Sequence, residues 1–242
     1  MQAMIFAAGL GTRLKPLTDT MPKAMVRVGG EPLLWHVLMK LKRAGVQLVV
    51  VNVHHFARQI VDYLSENDNF GMDIRVSDET DCLLDTGGGL RKAAPLFRRD
   101  MPILIHNVDI MSNVDLRALA ASAAGHDALL LVSRRVTKRY LLFDEATRLA
   151  GWTNIATGEV RSPNPQFDPA KCRRYAFSGI HVVQPSLLDM MKGWPDRFGI
   201  IDFYLDVCAR ADIHGLPQGS LRLLDVGKLD TLEQAERFVT TV

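Results

Sequence analysis

Short apolar segments alternate with amphipathic segments of helical periodicity through the first half of this chain. The run at 48–53 is apolar up to Asn52, which is typical of a strand covered on both faces. Residues 32–44 place Leu34 and Leu38 on one face of a predicted helix. Such alternation predicts parallel strands joined by crossover helices. We therefore expect an α/β fold with a Rossmann-like, doubly wound, mostly parallel mixed sheet.

Charge balance and cysteine spacing exclude several functional classes. The 242 residues carry 29 Lys and Arg against 27 Asp and Glu, a net charge of +2. So small a charge creates no field for nucleic acid or an anionic membrane. No apolar run reaches the ~18 residues that a membrane span needs. The three cysteines form no Cys-x-x-Cys pair, so we expect no disulfide framework or zinc site, and a cytoplasmic protein.

A glycine-rich loop follows the first predicted strand. Gly9 and Gly11 offer backbone N–H groups to an anion, and Arg13 and Lys23 follow. The dinucleotide fingerprint fails because Leu14 occupies its last glycine position, and the P-loop pattern also fails. An arginine fork and a lysine point charge suit a triphosphate. A surface turn with two solvated cations is an equally good interpretation of this loop alone.

Polar residues follow three further predicted elements. Residues 86–89 read Thr-Gly-Gly-Gly, and close backbone approach to a ligand explains such a run better than a plain helix start does. Asp109 and Asp225 each follow an apolar run, at the strand ends where open α/β sheets bind ligands. Two converging carboxylates would suit Mg²⁺. The alternative for each aspartate is a turn-forming role.

Five segments in order resemble the sugar-1-phosphate nucleotidyltransferases. The first is Gly-x-Gly-Thr-Arg-Leu-x-Pro-Leu-Thr followed by Pro-Lys, within residues 7–23. Residues 85–93 resemble the second nucleotide-binding segment of that family, and 107–109 its metal-binding aspartate. Residues 177–180 resemble its sugar-pocket segment, and 224–227 its second metal-binding aspartate. The resemblance implies a glycosyltransferase-A-like nucleotidyltransferase fold.

The same resemblance implies roles for individual residues. It implies that Arg13 and Lys23 make the catalytic contacts to phosphate and that Asp109 and Asp225 bind Mg²⁺. The nucleotide contacts lie in the two glycine segments and at one strand end: Ala8, Gly9, Gly11, Thr12, Asp85, Thr86, Gly87 and Asn107. The sugar contacts lie in the second half of the chain: Asn154, Ser178 and Gly179.

The implied reaction joins a nucleoside triphosphate to a sugar 1-phosphate and releases pyrophosphate. We expect one domain over 1–242, with a nucleotide-binding half to about 133 and a sugar-phosphate half beyond. The opening at 7–9, Ala-Ala-Gly, resembles that of uridylyltransferases, most of all those that take N-acetylmuramate 1-phosphate. UTP is therefore favoured. Two alternatives stay open: a mannose-1-phosphate guanylyltransferase, and a non-catalytic nucleotide-binding regulator. The sequence does not indicate an oligomeric state.

Overall fold

Strands and helices alternate through much of the first half of the chain, and the computed structural model describes residues 1–239. In chain order the strands are β1 (Gln2–Phe6), β2 (Arg27–Val28), β3 (Glu31–Pro32), β4 (Leu48–Val53), β5 (Asp73–Asp78), β6 (Ile103–Asn107), β7 (Ile110–Ser112), β8 (Ala128–Ser133), β9 (Arg139–Phe143), β10 (Leu149–Asn154), β11 (Glu159–Arg161), β12 (Arg173–Val183), β13 (Ile213–Pro217) and β14 (Leu223–Asp225). The α-helices are α1 (Leu33–Arg43), α2 (Ala57–Glu66), α3 (Asp85–Ala93), α4 (Leu116–Ser122), α5 (Ile200–Val207) and α6 (Leu232–Val239).

The parallel part of the main sheet contains the strands predicted from the apolar runs. β1 lies between β4 and β6, and β4 also pairs with β5, all in parallel. The register aligns Phe6 with Asn52 on one side and with Asn107 on the other. The carboxyl ends of these strands therefore meet at one edge, where the glycine loop also begins.

The second half of the chain extends this sheet mainly through antiparallel pairing. The long strand β12 pairs antiparallel with β6, β8 and β9, and β10 and β11 continue the sheet beyond β9. β13 pairs in parallel with β8. The expected mixed sheet is confirmed. It is parallel where the glycine loop and Asn107 lie.

Two apolar layers cover the two faces of the sheet. Leu104 belongs to the layer that contains Leu38 of α1 and Ile60 of α2. Its neighbour Ile105 belongs to the opposite layer, with Phe203 of α5. This alternation along β6 explains why its sequence is almost continuously apolar: both faces of the strand are buried.

Some elements differ from their sequence predictions for local reasons. β13 escapes prediction because its sequence, Ile-His-Gly-Leu-Pro, contains two residues that disfavour strands. The sequence predicts a helix from Gly88, whereas α3 begins three residues earlier, at Asp85, although glycine lowers helix propensity. Within residues 1–239, the structure contains no helix long and apolar enough to cross a membrane. The cytoplasmic location stays a prediction.

Two histidines are buried without charge in the core. Burial lowers the pKa of His106 to about 4 and that of His181 to about 3. Neither ring nitrogen of His181 has a hydrogen-bond partner among the described residues, and the ring packs edge-on against Tyr204. Each histidine in the unfolded chain titrates near pH 6.5. The unfolded chain therefore binds more protons below pH 6.5, and the free energy of unfolding falls as the pH is lowered from there.

We expect His181→Leu to make the protein less sensitive to acid. Protonation of His181 in the unfolded chain lowers the free energy of unfolding by about 2 kcal/mol between pH 7 and pH 5. The variant lacks this group, so its free energy of unfolding should fall by that much less. Denaturant unfolding of both proteins at the two pH values measures the difference. His55→Leu, which replaces an exposed histidine outside the core, is the control. Equal pH dependence in wild type and His181→Leu would contradict this interpretation.

Candidate active site

The glycine loop turns back on itself immediately after β1. Gly11 has a φ of +64°, and a Cβ there would lie 2.8 Å from Thr18 Cγ2 and 3.0 Å from Lys23 Cβ. Glycine is therefore required both by the backbone angle and by the close contact. The Thr18 hydroxyl donates to the Gly11 carbonyl oxygen at 2.9 Å. The loop thus brings Lys23 back to the edge where it begins.

A buried polar network that sequence reasoning missed ties this loop to the start of α3. The Asn52 Oδ1 atom accepts from the N–H groups of Ala7 and Ala8, at 2.7 and 3.3 Å. The Asn52 amide donates to Glu79 at 2.7 Å, and Glu79 accepts from the Leu84 N–H at 3.2 Å. Burial raises the pKa of the Glu79 carboxyl group and is the largest of the effects on that pKa. The one signal in the sequence is a polar residue, Asn52, inside an apolar strand.

The three glycines of α3 have a different explanation from the expected one. A Cβ on Gly87 would lie 2.3 Å from the Phe198 ring, and one on Gly88 would lie 2.2 Å from the Asp196 carbonyl oxygen. A Cβ on Gly89 would meet the Glu79 carboxylate at 2.7 Å. The contacts that require glycine here come from the protein itself.

Asp85 and Thr86 hold the loop that follows Trp194. Asp85 accepts a charged hydrogen bond from Arg197 at 2.8 Å. The Thr86 hydroxyl oxygen accepts from the Ile200 N–H at 2.9 Å, at the start of α5. Gly199, between these two contacts, is thereby fixed at the edge of the site. Both predicted residues thus also have a structural role.

Two carboxylates flank the junction of β6 and β7. Lys23 forms an ion pair with Asp109, and both side chains are largely buried, with 10% and 16% exposed. The Val226 N–H donates to the Asp109 carbonyl oxygen at 2.8 Å, which places Asp225 beside this strand. Asp225 Oδ1 is buried and has no hydrogen-bond partner among residues 1–239. A Cβ on Gly227 would lie 2.6 Å from Asp225 Oδ1 and 2.7 Å from the Arg13 guanidinium.

A cavity of about 340 Å³ opens at this edge of the sheet. Its lining includes these predicted site residues: Ala8, Gly9, Lys23, Asp85, Thr86, Asn107 and Asp109. It also includes residues that sequence reasoning missed: Phe6, Asn52, Glu79, Leu83, Val108 and Gly199. Within the described part of the chain, the remaining predicted residues lie outside this lining: Gly11, Thr12, Arg13, Gly87, Asn154, Ser178, Gly179 and Asp225.

The three predicted sugar contacts have clear structural environments. Ser178 is buried, and its hydroxyl donates to the Leu131 carbonyl oxygen at 2.6 Å. Gly179 has a φ of +76°, and a Cβ there would lie 2.7 Å from the Asn107 amide. Asn154 accepts from the Ala156 N–H at 3.1 Å and stabilises the turn between β10 and β11. Of these three, Gly179 packs directly against a residue that lines the cavity.

A second, basic hollow adjoins the cavity. It has a volume of about 520 Å³, and arginines and aromatic side chains line it beside α5: Arg135, Thr137, Arg139, Tyr140, Leu141, Trp152, Glu159, Arg161, Phe177, Ile201 and Asp202. We call it the arginine groove. A Cβ on Gly199, which lines the cavity, would lie 2.8 Å from the carboxylate of Asp202, which lines the groove. Phe177 borders the groove two positions before Gly179.

The arginines of the groove differ in their partners. Arg161 pairs with Asp202 at 2.6 Å and lies over the Trp152 ring. Arg135 donates to the Phe177 carbonyl oxygen at 2.9 Å. The guanidinium of Arg139 has no hydrogen-bond or ion-pair partner within residues 1–239 and is exposed at the start of β9. The three arginines face two carboxylates, Glu159 and Asp202, so the lining has a net charge of +1, and the Arg139 guanidinium is the one left without a hydrogen-bond partner within residues 1–239.

Comparison of the chain with known proteins identifies its family. A family model described as "Nucleotidyl transferase" matches residues 2–140. The chain belongs to the nucleotidyl transferase family. An N-acetylmuramate alpha-1-phosphate uridylyltransferase of Caulobacter vibrioides is 43% identical over 226 residues, 90% of this chain and 88% of that protein. The family predicted from the sequence is confirmed, and with it the enzyme class.

Two further comparisons agree. A protein with the same description from Neisseria meningitidis serogroup B is 42% identical over 125 residues, which is 51% of this chain and 53% of that protein. The crystal structure of HddC from Yersinia pseudotuberculosis, complexed with GMP-PN, superposes with a TM-score of 0.76 at 20% identity. It covers 98% of both chains, which confirms the predicted fold.

Proposed function

We propose that this nucleotidyltransferase transfers the uridylyl group of UTP to N-acetylmuramate 1-phosphate. The observation that carries the proposal is one cavity that brings the glycine loop together with Lys23, Thr86 and Asp109. The relative from Caulobacter, aligned over most of both chains, supports the choice of both substrates. Because UTP is a cytoplasmic nucleotide and N-acetylmuramate a cell-wall sugar, the proposal includes a cytoplasmic role in cell-wall sugar metabolism.

The reaction needs no general base. A phosphate monoester has a second pKa near 6 and is largely dianionic at pH 7. One of its oxygens forms a bond to the α-phosphorus of UTP, while the bond from that phosphorus to the bridging oxygen of pyrophosphate breaks. The obstacle is the repulsion between two anions, so the enzyme must position the reactants and neutralise charge.

The cationic residues suit this task. Lys23 lies in the cavity beside Asp109, where we propose that it binds the phosphates that react. Arg13 is exposed at the end of the glycine loop and lies against Gly227. There we propose that it holds the β- and γ-phosphates that leave. The Ala7 and Ala8 backbone, fixed by Asn52, forms the wall of the proposed nucleotide site.

Asp109 and Asp225 fit a bound Mg²⁺. Both offer carboxylate oxygens, the ligands that this hard cation prefers. Asp225 Oδ1 is buried without a partner in the described chain, an unfavourable arrangement that a cation would relieve. When bound, Mg²⁺ stabilises the negative charge that develops on the α-phosphate. Asp109 also holds Lys23 in place through their ion pair.

The arginine groove suits the lactyl group of N-acetylmuramate. This sugar differs from N-acetylglucosamine in a lactyl ether that ends in a carboxylate. Asp202 of the groove lies close to Gly199, which lines the catalytic cavity, and the groove contains the guanidinium of Arg139, which has no partner within residues 1–239. A guanidinium binds a carboxylate through two parallel hydrogen bonds. We propose that Arg139 binds the carboxylate there.

Release of pyrophosphate tests the proposed substrates. The purified protein with Mg²⁺ is assayed with UTP, GTP, CTP, dTTP and ATP, each against N-acetylmuramate 1-phosphate, mannose 1-phosphate and glucose 1-phosphate. We expect the highest kcat/KM for UTP with the muramate. A preference for GTP with mannose 1-phosphate would contradict both substrates and retain the reaction class. Absence of turnover with every pair, together with tight nucleotide binding, would favour a regulator.

A further inference from the structure

A cluster of two histidines and one aspartate lies outside the candidate active site. His126 Nδ1 lies 2.7 Å from one oxygen of Asp212, and His214 Nε2 lies 3.1 Å from the other. One ligand atom from each residue lies within 4.8 Å of the other two. The side chains are 30%, 33% and 15% exposed in the order His126, Asp212 and His214, so an ion from solvent can reach them.

We propose that His126, Asp212 and His214 bind a divalent transition-metal ion of the zinc class. Two imidazole nitrogens and one carboxylate oxygen are the donors that Zn²⁺ accepts, with water completing its coordination. Mg²⁺ and Ca²⁺ prefer oxygen ligands and are poorly served by two imidazoles. The donor set therefore separates this site from the carboxylates of Asp109 and Asp225.

The site and the catalytic cavity lie at opposite ends of the strands of the main sheet. Ala128, the first residue of β8, aligns with Val183 of β12, and Val183 aligns with Ile103. Ile103 begins β6, whereas Asn107 at its other end lines the cavity. The cluster flanks the starts of β8 and β13. A metal there can act on stability without contact with substrate.

An ion at this site would join segments distant in sequence. His126 precedes β8, and Asp212 precedes β13, 86 residues later. Backbone hydrogen bonds already align these segments, from the Asp127 N–H to the Asp212 carbonyl oxygen at 3.0 Å and from the Gly215 N–H to the Thr147 carbonyl oxygen at 2.9 Å. The ligands are therefore held by backbone that is ordered before an ion binds, which reduces the entropic cost of binding.

The groups around Asp212 are compatible with a bound cation. The two oxygens of Asp212 face the two imidazoles, Oδ2 towards His126 and Oδ1 towards His214. Arg148 lies 3.5 Å from the same carboxylate, but its side chain is half exposed and can turn towards solvent. Thr147 Oγ1 lies 3.3 Å from the second ring nitrogen of His214, where it can orient the ring.

Zinc titration of the metal-free full-length chain tests the site. Calorimetry in excess Mg²⁺, which keeps Asp109 and Asp225 from contributing, should show one Zn²⁺ per chain, and Zn²⁺ should raise Tm by several degrees. His126→Gln and His214→Gln should each weaken Zn²⁺ binding by at least about tenfold. His55→Gln, an exposed histidine elsewhere, is the matched control and should bind as wild type does.

Two further measurements distinguish the loss of a metal ligand from misfolding of the variant. Co²⁺ in place of Zn²⁺ should give the visible absorption of a site with nitrogen and oxygen ligands, and His126→Gln should abolish it. Circular dichroism of each metal-free variant should match that of the metal-free wild type. Absence of Zn²⁺ binding by the wild type would overturn the proposal. Equal Zn²⁺ affinity in wild type, His126→Gln and His214→Gln would overturn it too, because the ion would then bind elsewhere.

Discussion

Asp225→Asn is expected to lower kcat by at least about 10³-fold, because a metal ion contributes several kcal/mol to a transition state of this kind. The substitution keeps the shape of the side chain and removes its negative charge. The buried Oδ1 atom, which has no partner in residues 1–239, is the atom that we assign to the metal. Initial rates of pyrophosphate release across a Mg²⁺ titration measure the loss.

Asp109→Ala should reduce kcat by at least as much, since it removes a proposed metal ligand and the partner of Lys23. The buried Lys23 ammonium would then be unpaired, which destabilises the fold. Asp109→Asn is therefore the cleaner comparison, with Tm measured in parallel. Asp230→Asn, an exposed aspartate five positions after Asp225, is the matched control and should retain wild-type turnover. Mg²⁺-dependent turnover at the wild-type rate in Asp109→Asn or Asp225→Asn would contradict the metal assignment.

The sequence predicts those parts of the site that lie within a few residues of the end of a single strand. A strand that ends in glycine, or in an aspartate, carries its chemistry in adjacent residues, so the glycine loop and Asp109 are visible in the sequence. Asn52 and Glu79 act together across 27 positions. Their hydrogen bonds depend on the parallel pairing of β1, β4 and β5, which no local pattern specifies. Their roles therefore emerge only from the structure.

A run of glycines indicates close approach to the backbone, but it does not indicate which group approaches. The sequence favours a ligand as the partner of these glycines, whereas the Phe198 ring and the Asp196 carbonyl oxygen lie where a Cβ on Gly87 or Gly88 would be. These residues lie more than 100 positions away, in a loop without regular pattern. The arginine groove has the same origin, because the pairing of β9, β10 and β11 brings Arg139 and Arg161 to one groove. Basic residues that are far apart in sequence predict a solvent-exposed surface, and only the pairing of the strands shows that some of them line one groove.

Arg139→Gln is expected to raise KM for N-acetylmuramate 1-phosphate by about 10- to 100-fold, with a much smaller change in kcat. A hydrogen bond between charged groups contributes about 1.5–3 kcal/mol, and this one would be made equally in the ground and transition states. N-acetylglucosamine 1-phosphate has no lactyl carboxylate, so its KM should be the same in wild type and variant. Initial rates with both sugar phosphates at saturating UTP measure the two effects.

Arg134→Gln is the matched control for this comparison. Arg134 is exposed beside Arg135, and within residues 1–239 it does not line the groove. Its removal changes the net charge equally, so a general electrostatic effect on an anionic substrate would appear in both variants. We expect the selective loss only in Arg139→Gln. An equal rise in KM for both sugar phosphates would place Arg139 at their shared phosphate, and an unchanged KM for the muramate would exclude the groove as its carboxylate site.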